Sequence, residues 1–319
     1  MGRAFLAFVV AGLSISLGTS VGAATLLINN GLAPPTSENV LNEVYFDLGG
    51  ASDGKIVVRN AGCTGEGPCA SPGAATEVLI TDGAVLIVDD IDVYDTSQLT
   101  MTGGTADNGS GGPISAFDSS TVVISGGEQG EDLRAYDNST VWMSGGELRD
   151  DLYITDNAEL FFSGGSTQFL IADGSAQVTI SGGEIGELFT DDNSVLTIEG
   201  GIIGGAWGMD FAGSSSVTIE GGIFNTYQAE PFDVPNVVSD SATLIIVGTH
   251  FEVDGVPVSY GAWPGGILSG TLASGEYMNT WFVVSGQGTI FTAPIPEPSA
   301  ALVFGLGFIL VAARTRLRI

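Results

Sequence analysis

From about residue 95 onward, apolar and polar positions recur at fixed offsets from pairs of glycines. The pairs begin at Gly103, Gly126, Gly145, Gly164, Gly182, Gly200 and Gly221, at spacings of 23, 19, 19, 18, 18 and 21 residues. Four places before each pair stands a branched apolar residue: Leu99, Val122, Val141, Leu160, Val178, Leu196 and Val217. Two places before it stands a second apolar residue: Met101, Ile124, Met143, Phe162, Ile180, Ile198 and Ile219. Alternation of this kind predicts a strand with one buried face. Eight places before the pairs stand Asp95, Asp118, Asp137, Asp156, Gly174, Asp192 and Gly213, each followed by small or polar residues. Asp and Gly tolerate the left-handed backbone of a sharp corner. Each copy therefore reads as turn, short strand and Gly-Gly corner. Two further copies lack the glycine pair: Asp82-Gly83-Ala84 leading to Leu86 and Val88, and Asp240-Ser241-Ala242 leading to Leu244 and Ile246. The count is nine coils.

A strand this short cannot bury its apolar face alone, but stacked copies can, with like residues in ladders roughly 4.8 Å apart. The expected fold is all-β: a single-stranded parallel β-helix of about nine coils of 18–19 residues. Antiparallel sandwiches give no reason for one residue type to recur at one offset. No six-residue sub-period is present, which favours a right-handed solenoid over a left-handed hexapeptide one. The division expected is 1–23 leader, 24–77 N-terminal segment or cap, 78–248 solenoid, 249–293 C-terminal cap and 294–319 terminal signal. The cap at 249–293 answers a need, because an open solenoid end exposes core and unpaired strand edges.

The two ends have their own patterns. One cation, Arg3, precedes an apolar run from Ala4 to about Leu17, and small residues close at Val21-Gly22-Ala23. The run is shorter than the roughly 20 residues that span a bilayer, and small residues at −3 and −1 predict signal-peptide cleavage after Ala23. At the other end, Pro296, Glu297 and Pro298 lead into an apolar segment from Ala300 to Ala313, closed by Arg314, Arg316 and Arg318. A helix there covers roughly 21 Å at about 1.5 Å per residue, short of the roughly 30 Å hydrocarbon core. The arginines after it would stay on the cytoplasmic side, so the segment suits temporary retention in a membrane.

This order of parts (Pro-Glu-Pro triplet, short Gly/Leu-rich apolar segment, terminal Arg cluster) resembles the PEP-CTERM sorting signal, over about 26 residues. The resemblance implies recognition by an exosortase, a membrane cysteine transpeptidase, and removal near the triplet. It implies a Gram-negative host that makes extracellular polysaccharide. The precursor would be held in the inner membrane through its C-terminal helix, and the mature protein delivered to the cell surface or matrix. The segment Gly248–Ala293 more loosely resembles the terminal part of other β-solenoid proteins with the same signal.

Charge narrows the partners. The chain carries 8 Lys and Arg against 37 Asp and Glu, and four of those cations (Arg3, Arg314, Arg316, Arg318) lie in the terminal signals. Lys55, Arg59, Arg134 and Arg149 remain. Such a field repels nucleic acid and anionic lipid and attracts divalent cations or basic partners. Cys63 and Cys69 flank Thr-Gly-Glu-Gly-Pro and are expected to close a small disulfide loop in an oxidising compartment. With a single His250 they do not compose a zinc site.

No motif singles out a catalytic residue, and no cofactor is expected. Parallel β-helices include enzymes that act on acidic polysaccharide, so a lyase or glycosidase is the alternative. Such chemistry needs a Lys or Arg base, often with calcium, or a pair of carboxylates. The row Asp95, Asp118, Asp137, Asp156 is the calcium candidate, although Asp capping its own turn is the commoner arrangement. On the outward side, three places before each glycine pair, stand Thr100, Val123, Trp142, Phe161, Thr179, Thr197 and Thr218. In register, Val123, Trp142 and Phe161 would form an exposed apolar ladder suited to sugar rings or a docking partner, unless a loop or the N-terminal segment covers it. The sequence thus reads as a structural or adhesive surface protein.

Overall fold

In the computed structural model, residues 14–17, 24–35, 39–41, 45–47, 55–64, 68–106, 112–204, 208–224 and 236–296 are described. Ala23, Glu297, Pro298, Arg314, Arg316, Arg318 and the apolar segment between them lie outside these. Among the described residues every element is a strand, and nearly all pairings are parallel, between one turn and the next. The chain winds as a three-faced β-solenoid of about seven regular turns.

The turn at residues 140–154 illustrates the unit. Thr140–Leu148 supplies the first face, bends at Gly145-Gly146 and begins the second face; Asp151–Ile154 is the third. On the first face Val141 pairs with Val122 behind and Leu160 ahead, and Met143 with Ile124 and Phe162. On the third, Leu152 pairs with Leu133 and Leu170. Every residue named above at the two inward first-face offsets is buried, as the period-two pattern requires. The core is a column of such ladders with a contribution from the third face, including Leu133, Leu152, Leu170, Leu188 and Phe211.

The corner needs both glycines, for different reasons. At Gly145 a Cβ would lie 2.5 Å from the carbonyl oxygen of Ser125 in the turn behind, and Gly146 has φ +86°. The first glycine lets two backbones meet and the second turns the chain. The small position after the turn Asp has a packing cause: Ser120, Ser139, Ala158, Ala176 and Ser194 are fully buried. The hydroxyls are satisfied by backbone carbonyls, Ser120 Oγ donating to Val93 in the turn behind and Ser139 Oγ to Tyr136 in its own turn.

Two expectations change. Asp82-Gly83 does not begin a coil, because Glu77–Ile80 pairs with Gln98–Met101 on the first face. That register puts Asp82 beside Gly103, at the corner, and Leu86 on the second face beside Ala106. The Asp-Gly-apolar pattern matched one face too late, so this copy is not a coil start. The second change concerns 24–77, which is less a separate cap than further solenoid. Ala24–Ile28 stacks on Lys55–Val58, and that strand on Asp90–Val93, while Tyr45–Asp47 stacks on Val85–Ile87. Ser14–Leu17 adds antiparallel to Ala24–Ile28.

Cys63 and Cys69 are joined by a disulfide. At the far end, Asp240-Ser241-Ala242 is in register, with Thr243–Val253 stacked on Ser216–Ile219. The chain then leaves the solenoid as an antiparallel excursion, Gly265–Leu272 pairing with Tyr277–Val284, and returns as Thr289–Ala293 parallel to Thr243–Val253. That excursion sits at the open end, where a cap is needed.

Candidate binding surfaces

The turn aspartates stack on the edge between the third and first faces. Asp95, Asp118, Asp137 and Asp156 all have left-handed backbone, with φ between 56° and 63°. Each carboxylate reaches back one turn. Asp118 Oδ2 accepts from the Asp95 amide at 3.0 Å, Asp137 Oδ2 from the Asp118 amide at 2.9 Å, and Asp156 Oδ2 from the Asp137 amide at 3.1 Å. At the head of the row Asp95 Oδ2 accepts from the Asn60 amide and from Arg59 Nε. The row suggested as a calcium site is therefore a chain of inter-turn staples. No three of its carboxylates come together within reach of one ion. The reason is geometric: a left-handed residue turns its amide outward, and the nearest acceptor is the Asp one turn on.

A second ladder lies one residue earlier. Tyr94, Phe117 and Tyr136 stack with ring centroids 4.7 and 5.0 Å apart, and the Arg59 guanidinium lies 4.7 Å from the Tyr94 ring. Sequence reasoning missed this ladder, although an aromatic directly before the turn Asp at three successive copies was a legible signal.

A further row runs along the outside of the first face. Val123 pairs with Trp142 and Trp142 with Phe161. The Trp142 and Phe161 rings stack at 4.0 Å and 13°. Trp142 is 47% exposed, and Val123 and Phe161 are half-buried. Thr100 flanks the row on one side, and Thr179, Thr197 and Thr218 continue it on the other.

The third face gathers several charged groups. All four cations of the body are in ion pairs: Lys55 with Asp90, Arg59 with Asp95, Arg134 with Asp132 and Arg149 with Glu128. Lys55 also reaches Asp92, and the Asp132 partner of Arg134 belongs to a cluster in which Asp132, Asp150 and Asp151 bring oxygens within 4.8 Å of one another. These three could hold a cation. Tyr153 donates to Asp151 Oδ2 at 2.7 Å. That bond, with burial, pushes the Tyr153 phenol up to about 12, the wrong direction for a base at neutral pH. Burial, then nearby acids, also holds the carboxyl of Asp151 above the usual range.

Beyond Tyr153 the same outward row continues through Ile171 and Phe189 to Asp210. A shallow groove of about 510 Å³ follows it, walled by Asp151, Asp173, Asp191 and Asp210 around Phe169 and Phe189. The two rings lie 6.1 Å apart at 24°. Asp151 and Asp210 stand three turns apart, roughly 14 Å at a strand spacing of about 4.8 Å. Glycosidase carboxylates lie roughly 5–9.5 Å apart, so these two do not form such a pair.

The class these faces define is a parallel β-solenoid whose outer surface carries short aspartate and aromatic ladders. Comparison with protein-family models, with curated proteins and with solved structures found no match in any of the three.

Proposed function

We propose that the chain is an exported structural and adhesive protein of a Gram-negative cell surface or extracellular matrix. Its solenoid presents an aromatic ladder to exopolysaccharide or another matrix component. The observation that carries the adhesive role is the parallel Trp142–Phe161 stack on a stiff sheet. Such ring faces match the apolar faces of sugar rings, and an open apolar patch is uncommon on a solitary soluble protein. Replacing Trp142 and Phe161 together with Ser is expected to lower retention on the host's own polysaccharide about tenfold, since loss of an aromatic anchor removes about 1.4 kcal/mol or more. Unchanged retention would refute the adhesive role.

The route to the surface rests on the sequence of the two ends. The leader would be cut after Ala23. The Pro296–Pro298 triplet, apolar segment and Arg314, Arg316 and Arg318 would be handled by an exosortase-type transpeptidase while the precursor sits in the inner membrane. Mass spectrometry of the extracellular form from its host is expected to show Ala24 as the first residue and a C-terminus near the triplet. An intact Ile319 terminus on that form would sink the sorting reading.

One observation favours a second reading, a polysaccharide lyase or glycosidase: the convergence of Arg134 with Asp132, Asp150, Asp151 and Tyr153 on one face. Against it stand the bound state of Arg134 and the raised Tyr153. Depolymerisation assays on acidic polysaccharide, with and without calcium, decide: chain shortening abolished by Arg134→Ala would replace the adhesive reading with an enzymatic one.

A further inference from the structure

The third-face groove has features that the folded chain itself does not use. Asp151 Oδ1 and Asp210 Oδ1 are buried and have no hydrogen-bond partner, and both residues line the groove. Leaving a buried acceptor unsatisfied is unfavourable, so both atoms suit a donor, water or ligand, that the folded chain does not supply. Burial, followed by the charges of Asp191 and Asp240, holds the Asp210 carboxyl above the usual range. No lining residue is basic and four are acidic, so the groove is complementary to a donor that carries positive charge. Between the two acids the floor is apolar, formed by Phe169, Ile171 and Phe189, which asks for a ligand with flat apolar faces.

We propose that this groove binds a cationic amino-sugar oligomer, its ammonium groups on Asp151 and Asp210 and its ring faces on Phe169 and Phe189. The spacing suits a linear ligand: the two acids stand three turns apart with the rings on the two turns between them. A compact cation could reach only one end. A flexible polyamine offers charge without a flat face. The site lies on a different face from the Trp142 ladder, so it stands or falls separately from the adhesive reading.

The test is calorimetric titration of the full body of the protein with a glucosamine tetramer carrying free amines. The fully N-acetylated tetramer and tetralysine serve as comparisons. The free-amine oligomer is expected to bind at least tenfold tighter than either. Asp210→Asn and Phe189→Leu, which keep size and burial, are each expected to weaken it about tenfold. Asp254→Asn, on the distant C-terminal excursion, should leave it unchanged. Equal binding of the acetylated oligomer would overturn the role of the carboxylates. Equal or tighter binding of tetralysine would mean a basic peptide groove or general attraction to a polyanion, and would overturn the glycan. Undiminished binding by Phe189→Leu and Asp210→Asn would overturn the location, and absence of binding would overturn the proposal outright.

Discussion

Replacing Arg59 with Met is expected to destabilise the first turns of the solenoid by about 3–5 kcal/mol, the usual loss when one partner of a buried ion pair is removed. Arg59 is 1% exposed. Its Nη2 donates to Asp95 Oδ1 at 2.9 Å and its Nε to Asp95 Oδ2 at 3.1 Å. Its guanidinium also covers the ring of Tyr94, the first member of the Tyr94–Phe117–Tyr136 stack. One side chain thus terminates both ladders of this edge, the aromatic one by stacking and the aspartate one by charge. Methionine would fill much of the volume but leave Asp95 charged and buried. Hydrogen exchange resolved by residue is the right measurement, because a solenoid couples mainly nearest neighbours and need not melt as one unit. Amides of Lys55–Val58 and Asp90–Val93 should lose protection, while those of Val195–Ile198 keep it. Pairing Arg59→Met with Asp95→Asn should recover most of the loss. If the single variant leaves the first turns as protected as before, the ladder has no anchor at Arg59.

The second large effect is expected at the corner. A Cβ on Gly183 would fall 2.4 Å from Cε1 of the buried Phe162 ring and 2.8 Å from the Gly165 carbonyl oxygen, at φ +83°. Overpacking of a filled core contributes about 1–3 kcal/mol, and left-handed backbone for an L-residue about 1–2 kcal/mol. Gly183→Ala should therefore destabilise the neighbouring turns by about 2–5 kcal/mol. Gly275→Ala separates the two causes: its φ is +102° but nothing lies within 4 Å of the added carbon. That variant should show only the smaller backbone effect, of about 1–2 kcal/mol. Chemical denaturation of both, with hydrogen exchange to place the opening, checks the pair. Equal losses at the two sites would mean that the close approach of turns at Gly183 is not a constraint.

Much of the first face was legible because its pattern is dictated by burial at a fixed period. Leu160 and Phe162 are inward, Phe161 is outward, and Gly164-Gly165 closes the corner; each follows from the offset alone. The third face was not legible. Its inward residues include Ala135, Ala172 and Thr190 beside Leu133, Leu170 and Leu188, and small side chains give a weak periodic signal. Its distance from the glycine pair also varies. The extra residues of the long 103–126 spacing fall between Gln98–Ala106 and Ile114–Ala116. The error at Asp82 has the same origin: Asp-Gly marks a corner, but a three-faced coil has more than one corner.

The candidate sites divide the same way. Val123, Trp142 and Phe161 share one offset, so their adjacency is implied once stacking is inferred. The groove of Asp151, Phe169, Phe189 and Asp210 draws on four turns and two outward rows, and no single offset connects them.

By itself, the sequence determined that this chain stacks repeated strands, which residues face inward on the first face, and where the chain must turn. It could do so because those features are local and periodic: two-residue alternation, left-handed turn residues and a glycine corner. Only the tertiary structure decided what the turn aspartates do, that Arg59 ends two ladders, and that a groove with two unpartnered carboxylate oxygens opens on the third face. Those depend on which turn lies beside which and on which polar atoms lose their water, and an unstacked chain specifies neither.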